Sequence, residues 1–244
     1  MDILLHGACG RMCREVEKLI EITEGMYVVA RVDKLSSDKK CFTDINDFDG
    51  KADVIIDFSN HTATKELMEY AVRKHIPVVV CTTGQTDEEI RIIKKASEKT
   101  PVFFSANMSL GIALLVDLSV KTASVMKEAD IEITETHHNR KLDSPSGTAL
   151  LIAENIKKIR NKAKLKFGRY GHEKREKDEI CIHSVRRGNI AGIHEVVIST
   201  DSQTITLKHE AHSSTLFAEG AVKAALFIKE KKSGLYDMNF LLGE

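Results

Sequence analysis

The sequence predicts an α/β protein: a doubly wound parallel sheet, then a second α+β domain with a mixed sheet. Three observations predict it. In the first half, short apolar strand patterns alternate with amphipathic helix patterns, which implies a parallel sheet covered on both faces. Beyond residue 178, strand patterns follow one another without helices between them. A final helix pattern comes after those strands. The 244 residues, 42% of them hydrophobic, can bury a real core in one large domain or two moderate ones.

The elements follow in order. Asp2–His6 reads as a strand, Arg11–Ile22 as a helix and Tyr27–Val32 as the next strand. Val54–Phe58 is short and apolar, as a strand buried on both faces would be. Thr62–Lys74 is amphipathic and helical, Val78–Cys81 a strand, and Asp87–Lys99 a helix capped by Thr86 or Asp87. Val102–Ser105 completes the first series. The rhythm then changes: Gly111–Lys127 predicts a long helix and Ile131–Thr136 alternates as a strand. A helix opens at Ser146-Gly147-Thr148. Lys157–Lys177 has little periodicity and reads as a solvated basic loop rather than a nucleic-acid surface. Glu179–Val185, His194–Thr200 and Thr204–His209 are strand-like, the last two joined as a hairpin at Asp201-Ser202. Thr215–Glu230 is the last helix and Gly234–Leu242 a tail.

Composition excludes several functions. Basic and acidic residues number 36 each, so no net charge attracts nucleic acid or an anionic membrane. There is no tryptophan and little aromatic content to stack bases. No apolar run approaches the roughly 20 residues of a membrane span, and the first residues form a strand pattern rather than a signal peptide. Cys9, Cys13, Cys41, Cys81 and Cys181 are odd in number and scattered. Cys9 and Cys13 lack the partner spacing of a zinc site. These residues read as reduced thiols in a cytoplasmic protein with no nucleic-acid partner, no membrane partner and no metal.

His6-Gly7-Ala8-Cys9-Gly10-Arg11-Met12-Cys13 joins the first strand to the first helix. Gly7 suits a tight turn and Gly10 a close approach of backbone to ligand. The helix start offers N–H groups and partial positive charge to a pyrophosphate, and Arg11 can add a charged contact. The G-x-x-G spacing is weak by itself; its strand–turn–helix context strengthens it. Asp33, ending the second strand, can accept from an adenosine ribose, while Lys34 can pair with a 2′-phosphate. NADH and NADPH therefore both stay open. Cys81-Thr82-Thr83-Gly84 and Ser105-Ala106-Asn107-Met108 fall at carboxyl ends of strands, where open parallel sheets bind ligands.

The densest chemistry lies in Glu132–Leu150, E-I-T-E-T-H-H-N-R-K-L-D-S-P-S-G-T-A-L. His137 and His138 can exchange protons near neutral pH. Lys141 can hold a carboxylate or pass a proton. Ser146, Gly147 and Thr148 supply amides and hydroxyls to an anion at a helix start. The segment reads as a receptor for a small polyanion with a proton donor beside it. It lacks the H-E-x-x-H of zinc proteases and the G-x-S-x-G elbow of hydrolases. Two histidines joining an acidic residue on a metal remain an alternative.

These residues resemble the 4-hydroxy-tetrahydrodipicolinate reductase (dihydrodipicolinate reductase) family of lysine and diaminopimelate biosynthesis. The resemblance runs from Gly7–Met12 through Asp57-Phe58-Ser59, Thr82-Thr83-Gly84 and Ala106–Gly111. It is strongest in Glu135–Ala149 and continues through His183–Arg186, Gly188, Phe217-Ala218, Gly220-Ala221 and Gly234–Met238. It implies a Rossmann-type nucleotide domain, 1–108 with 216–244. It also implies a substrate-binding and oligomerisation domain, 109–215, in a homotetramer. It implies His137 as catalytic acid/base and Lys141 as proton donor. His138, Lys141, Ser146, Gly147 and Thr148 become ligands of a small dicarboxylate. Gly7 to Met12, Asp33, Lys34, Cys81 to Thr83 and Ser105 to Met108 become contacts of NADH or NADPH. Cys13, Cys81, Ala113, Ile193 and Ser214 depart from the family pattern. The competing readings are a non-catalytic nucleotide-sensing module, which would not need His137 with Lys141, and a metal-dependent hydrolase.

Overall fold

The computed structural model describes residues 1–243 and resolves two compact units. The first comprises Met1–Leu110 and the chain from Thr215 onward; the second is Gly111–Ser214.

The first unit holds a six-stranded sheet: β1 (Asp2–His6), β2 (Tyr27–Val32), β3 (Val54–Asp57), β4 (Val78–Val80), β5 (Pro101–Phe104) and β11 (Gly234–Tyr236). Their spatial order is β11-β5-β4-β3-β1-β2, and every pairing is parallel. The order reverses at β1, since β2 lies on one side and β3 on the other. β3 and β4 are buried at every residue, which is why they read as continuous apolar runs. Helices α1 (Arg11–Glu21) and α6 (Thr215–Ile228) pack together, with α6 against β3, β4 and β5. Helices α2 (Thr64–Lys74) and α3 (Asp87–Ser97) also pack together. They close a core containing Leu4, Ile55, Leu67, Tyr70, Val80 and Ile93. Thr86 caps α3 in a reciprocal box with Glu89.

The second unit is a five-stranded mixed sheet, ordered β10-β9-β6-β8-β7. Its strands are β6 (Asp130–His137), β7 (Lys164–Phe167), β8 (Glu179–Arg186), β9 (Gly192–Ser199) and β10 (Thr204–Ala211). β6 runs parallel to β8 and antiparallel to β9; β9 and β10 form the expected hairpin. Helices α4 (Leu110–Val125) and α5 (Gly147–Ile159) supply Ile112, Leu115, Ile152 and Ile156 to a core shared with Ile131, Ile133, Ile182 and Val196. Arg160 ties the end of α4 down, donating to the carbonyls of Ala123 (3.2 Å), Met126 (2.6 Å) and Ala129 (2.9 Å). Arg160→Met, which leaves those acceptors unpaired, is expected to cost roughly 2 kcal/mol. An unchanged urea midpoint would refute that.

Two readings need correction. Lys157–Lys177 is not simply a solvated loop. It carries the last turn of α5 and then β7, an edge strand parallel to β8. Several of its basic residues are matched by acidic ones: Lys166 to Glu173 at 2.9 Å, Arg169 to Glu179 at 2.6 Å and Arg175 to Asp130 at 2.8 Å. The tail also contains structure, because β11 adds to the edge of the first sheet beside β5. Both strands are at most four residues long and edge-placed, so neither shows a period.

Candidate active site

In the first unit, the turn after β1 is built around Gly7, whose φ is +80°. A Cβ there would lie 2.7 Å from the Phe58 carbonyl oxygen, so only glycine fits. Amides of Gly7 and Ala8 donate to the Val32 carbonyl, and that of Gly10 to Gly7. Gly10 is the N-cap of α1, which has neither a side-chain cap nor an acidic residue in its first turn. That end of α1 keeps its partial positive charge for an anion. Arg11 is exposed and Met12 half-buried there. A crevice of about 240 Å³ opens at the switch between β1 and β3, lined by Gly7, Gly10, Asp33, Lys34, Ser59 and Asn60 among others. This is where an open parallel sheet accepts a dinucleotide, and the residues present fit one.

Several predicted contacts are already engaged. Asp33 accepts from the amides of Cys9 and Leu35, both at 2.9 Å, and Lys34 pairs with Glu66 at 3.2 Å. The Thr82 hydroxyl donates to Asp57 at 2.7 Å, so it is not directed at a ligand as the sequence suggested. Cys81 is buried; burial and the Asp57 charge raise its thiol pKa well above the ordinary value. Only its backbone can serve a coenzyme. Thr83 and Ala106 are exposed, while Ser105 donates to the Asn107 carbonyl and Met108 is buried. Sequence reasoning missed the hub beneath these loops. The Asp57 carboxylate binds His6 Nδ1 at 2.8 Å, Ser59 Oγ at 2.5 Å and Thr82 Oγ1. It joins the carboxyl ends of β1, β3 and β4. Cys13, packed under this turn, donates weakly to the His6 carbonyl at 3.3 Å.

In the second unit, the alternation that buries Ile131 and Ile133 also places Glu135 and His137 on the α5 side of β6. His137 Nδ1 lies 2.6 Å from Glu135 Oε2, and its ring packs edge-on against His194 at 5.2 Å. His138 follows the strand end and donates its amide to Ile190. The Lys141 amide closes a turn onto the His138 carbonyl, and Lys141 Nζ pairs with Asp143 at 2.8 Å. Ser146 caps α5, accepting from the Ala149 amide at 3.2 Å. It is buried and its Oγ lies 3.1 Å from His194 Nε2. Its hydroxyl is thus committed, contrary to the sequence reading, which had it exposed to a ligand. Gly147 is exposed, a Cβ added there would meet open space, and α5 has no acidic residue in its first turn. The Asp143 carboxylate, held below its ordinary pKa first by Lys141, also accepts from the Gly147 amide, so the α5 start already receives one carboxylate.

Among the described residues, one cluster has metal-ligand composition: Glu132, Cys181 and His183. Neither His137 nor His138 belongs to it. Glu132 already bonds His183 at 2.7 Å and Arg175 at 3.3 Å.

Protonation follows from burial. Burial would raise the Glu135 pKa, but hydrogen bonds from Arg186, His137 and Ser184 outweigh it and bring the value to about 2. Burial lowers His137, only partly offset by Glu135, and drives His194 to about 3, with the His137 charge adding to the effect. Below pH 6.5 the unfolded chain therefore takes up protons that the native histidines refuse. Below 4.5 it also protonates the glutamate that the native state keeps ionised. Stability is expected to fall with falling pH from about 6.5, by up to about 1.4 kcal/mol per pH unit from His194. The loss from His194 ends as pH reaches its native value near 3. Urea unfolding across pH 4.5–7 tests this, with His194→Asn flattening the slope; a flat wild-type profile would refute it.

Comparison with known proteins shows the family. Residues 1–108 match the model for the dihydrodipicolinate reductase N-terminus, and 111–242 that for its C-terminus. The 4-hydroxy-tetrahydrodipicolinate reductase of Caldanaerobacter subterraneus subsp. tengcongensis is 43% identical, over 98% of this chain and 97% of its own. That of Clostridium tetani is 43% identical, over 98% and 96%. A dipicolinate-bound dihydrodipicolinate reductase from Paenisporosarcina sp. TG-14 shares the fold, with a TM-score of 0.84 at 24% identity over 98% of each chain. With both parts of the chain matched by that family's models, and relatives alike along almost their full length, the chain belongs to the dihydrodipicolinate reductase family of oxidoreductases.

Proposed function

We propose that the chain reduces 4-hydroxy-tetrahydrodipicolinate to tetrahydrodipicolinate with NADH or NADPH, in diaminopimelate and lysine biosynthesis. The observation that carries this reading is the pairing of His137 with buried Glu135, on a segment that also holds Lys141 and the start of α5. A nucleotide-sensing module has no need of such a dyad. The reaction consumes one hydride and one proton and releases water. Bound at the first unit, the nicotinamide coenzyme supplies the hydride. The Gly7–Met12 turn would take its pyrophosphate, Asp33 and Lys34 its ribose end, and the backbone of Cys81–Thr83 and Ser105–Met108 its remaining polar groups.

In the second unit, one substrate carboxylate would replace that of Asp143 at the α5 start, by Gly147 and Thr148, while His138 and Lys141 hold the other. Ser146 acts by shaping that helix start. His137 stays neutral near pH 7 because burial lowers its pKa. Lys141, paired with Asp143, would deliver the proton to the ring nitrogen, with His137 as the acid/base beside it. We place this enzyme in the cytoplasm as a homotetramer, with 1–108 and 216–244 as its nucleotide domain and 109–215 as its substrate and assembly domain.

The test follows oxidation of NADH and NADPH separately with freshly made substrate. Oxidation of at least one is expected; no oxidation of either would overturn the reading.

A further inference from the structure

Glu135 is fully buried, and both its oxygens are spoken for. Oε2 accepts from His137 Nδ1 at 2.6 Å and from Arg186 Nη1 at 2.8 Å. Oε1 accepts from Arg186 Nη2 at 2.7 Å and from the Ser146 amide at 3.2 Å. Arg186 comes from the end of β8, in register with His137. An ionised carboxylate only accepts, so the proton in the His137 bond belongs to Nδ1. The lone pair is then on Nε2. The space beside Nε2 exists because residue 192 is glycine: a Cβ there would stand 3.1 Å from that nitrogen.

The same ion pair reaches the loop that carries the cation. Arg186 Nη2 also donates to the Asp143 carbonyl at 2.6 Å, and the Asp143 carboxylate holds Lys141 Nζ at 2.8 Å. One carboxylate therefore connects three parts of the site: the imidazole, the residue capping α5, and, through Arg186, the lysine loop.

We propose that Glu135, clamped by Arg186, is the positioning residue of this site, fixing His137 with its proton on Nδ1 and its lone pair on Nε2 while anchoring the α5 start. The proposal rests on the role given to His137 above. An ion pair with a purely structural purpose would not care which ring nitrogen bears the proton. A positioning residue does, because a wrong tautomer removes the acceptor even when the ring stays in place.

The experiment uses protein labelled with ¹⁵N at histidine, the His137 signals being assigned by their loss in His137→Asn. Wild type is expected to show protonated Nδ1 and unprotonated Nε2 at pH 8. Glu135→Gln turns an amide donor toward Nδ1 and should move the proton to Nε2. Turnover should then fall on the order of 10²–10⁴-fold, with KM changed far less. Glu135→Asp, which keeps the charge, should retain the Nδ1–H form and recover part of the turnover. Wild-type His137 protonated on Nε2 overturns the proposal. So does a folded Glu135→Gln protein with unchanged tautomer or with turnover within threefold of wild type. Should Glu135→Gln fail to fold, the wild-type and Glu135→Asp spectra decide. The spectra are read without substrate, so a wild type that oxidises neither coenzyme yet holds Nδ1–H removes the reductase reading alone.

Discussion

Lys141→Ala is expected to lower turnover by on the order of 10²–10⁴-fold, the usual worth of a positioned proton donor. Lys141 is mostly covered, at 22% side-chain exposure, and its ammonium rests on Asp143. Its amide bond to the His138 carbonyl fixes where the side chain leaves the loop. Burial lowers the pKa of the neighbouring imidazole, which favours the lysine as the donor. Lys141→Arg separates the two duties of the residue. A guanidinium holds a carboxylate but gives up no proton in this pH range. That variant should keep KM within severalfold of wild type while remaining nearly as slow as Lys141→Ala. Steady-state kinetics of the pair is the check. Wild-type turnover in Lys141→Ala would remove the lysine from the chemistry.

Gly220→Ala should be the most damaging conservative change in the first unit. Gly220 lies in α6, where a Cβ would meet the Met108 carbonyl oxygen at 1.7 Å. That atom is backbone and cannot rotate away. Either α6 lifts from the sheet or the Ser105–Met108 loop moves. α6 buries Ala218, Ala221, Ala224, Ala225 and Ile228, so lifting it opens close-packed interior. A loss of roughly 3 kcal/mol or more is expected, at the upper end of overpacking costs. Coenzyme affinity should fall with it, since Met108 closes a predicted contact loop. Urea unfolding and coenzyme titration of the variant measure both; a midpoint within error of wild type would refute the clash.

The parts of the fold with strong local periodicity were readable from residues alone. β1, β3 and β4 announce themselves as apolar runs, and α3 by its Thr86–Glu89 box. β7 and β11 were not, because a Lys-Leu-Lys-Phe strand and a Gly-Leu-Tyr strand gain their identity from a neighbour rather than from a period. At the candidate site, His137, His138 and Lys141 stood out because their chemistry is rare in such density. Their supports did not. Arg186 and His194 lie about 50 residues downstream, and only the register of β6 with β8 and β9 brings them to His137. Asp57 gave a similar lesson: nothing local shows that its carboxylate gathers His6, Ser59 and Thr82. An acidic residue two positions before a strand-borne histidine was the available signal for Glu135, since period two puts them on one face.

The interrupted order of the first unit bears on how the protein is made. Helix α6 and strand β11 are translated more than 100 residues after β5, yet they cover the middle of the first sheet and extend its edge. A nascent chain emerging from the ribosome thus carries a half-dressed, strongly apolar surface until α6 has been made, while Gly111–Ser214 can finish folding first. Holdase chaperones should find their main foothold on the early-made portion, even though it is the first to be synthesised.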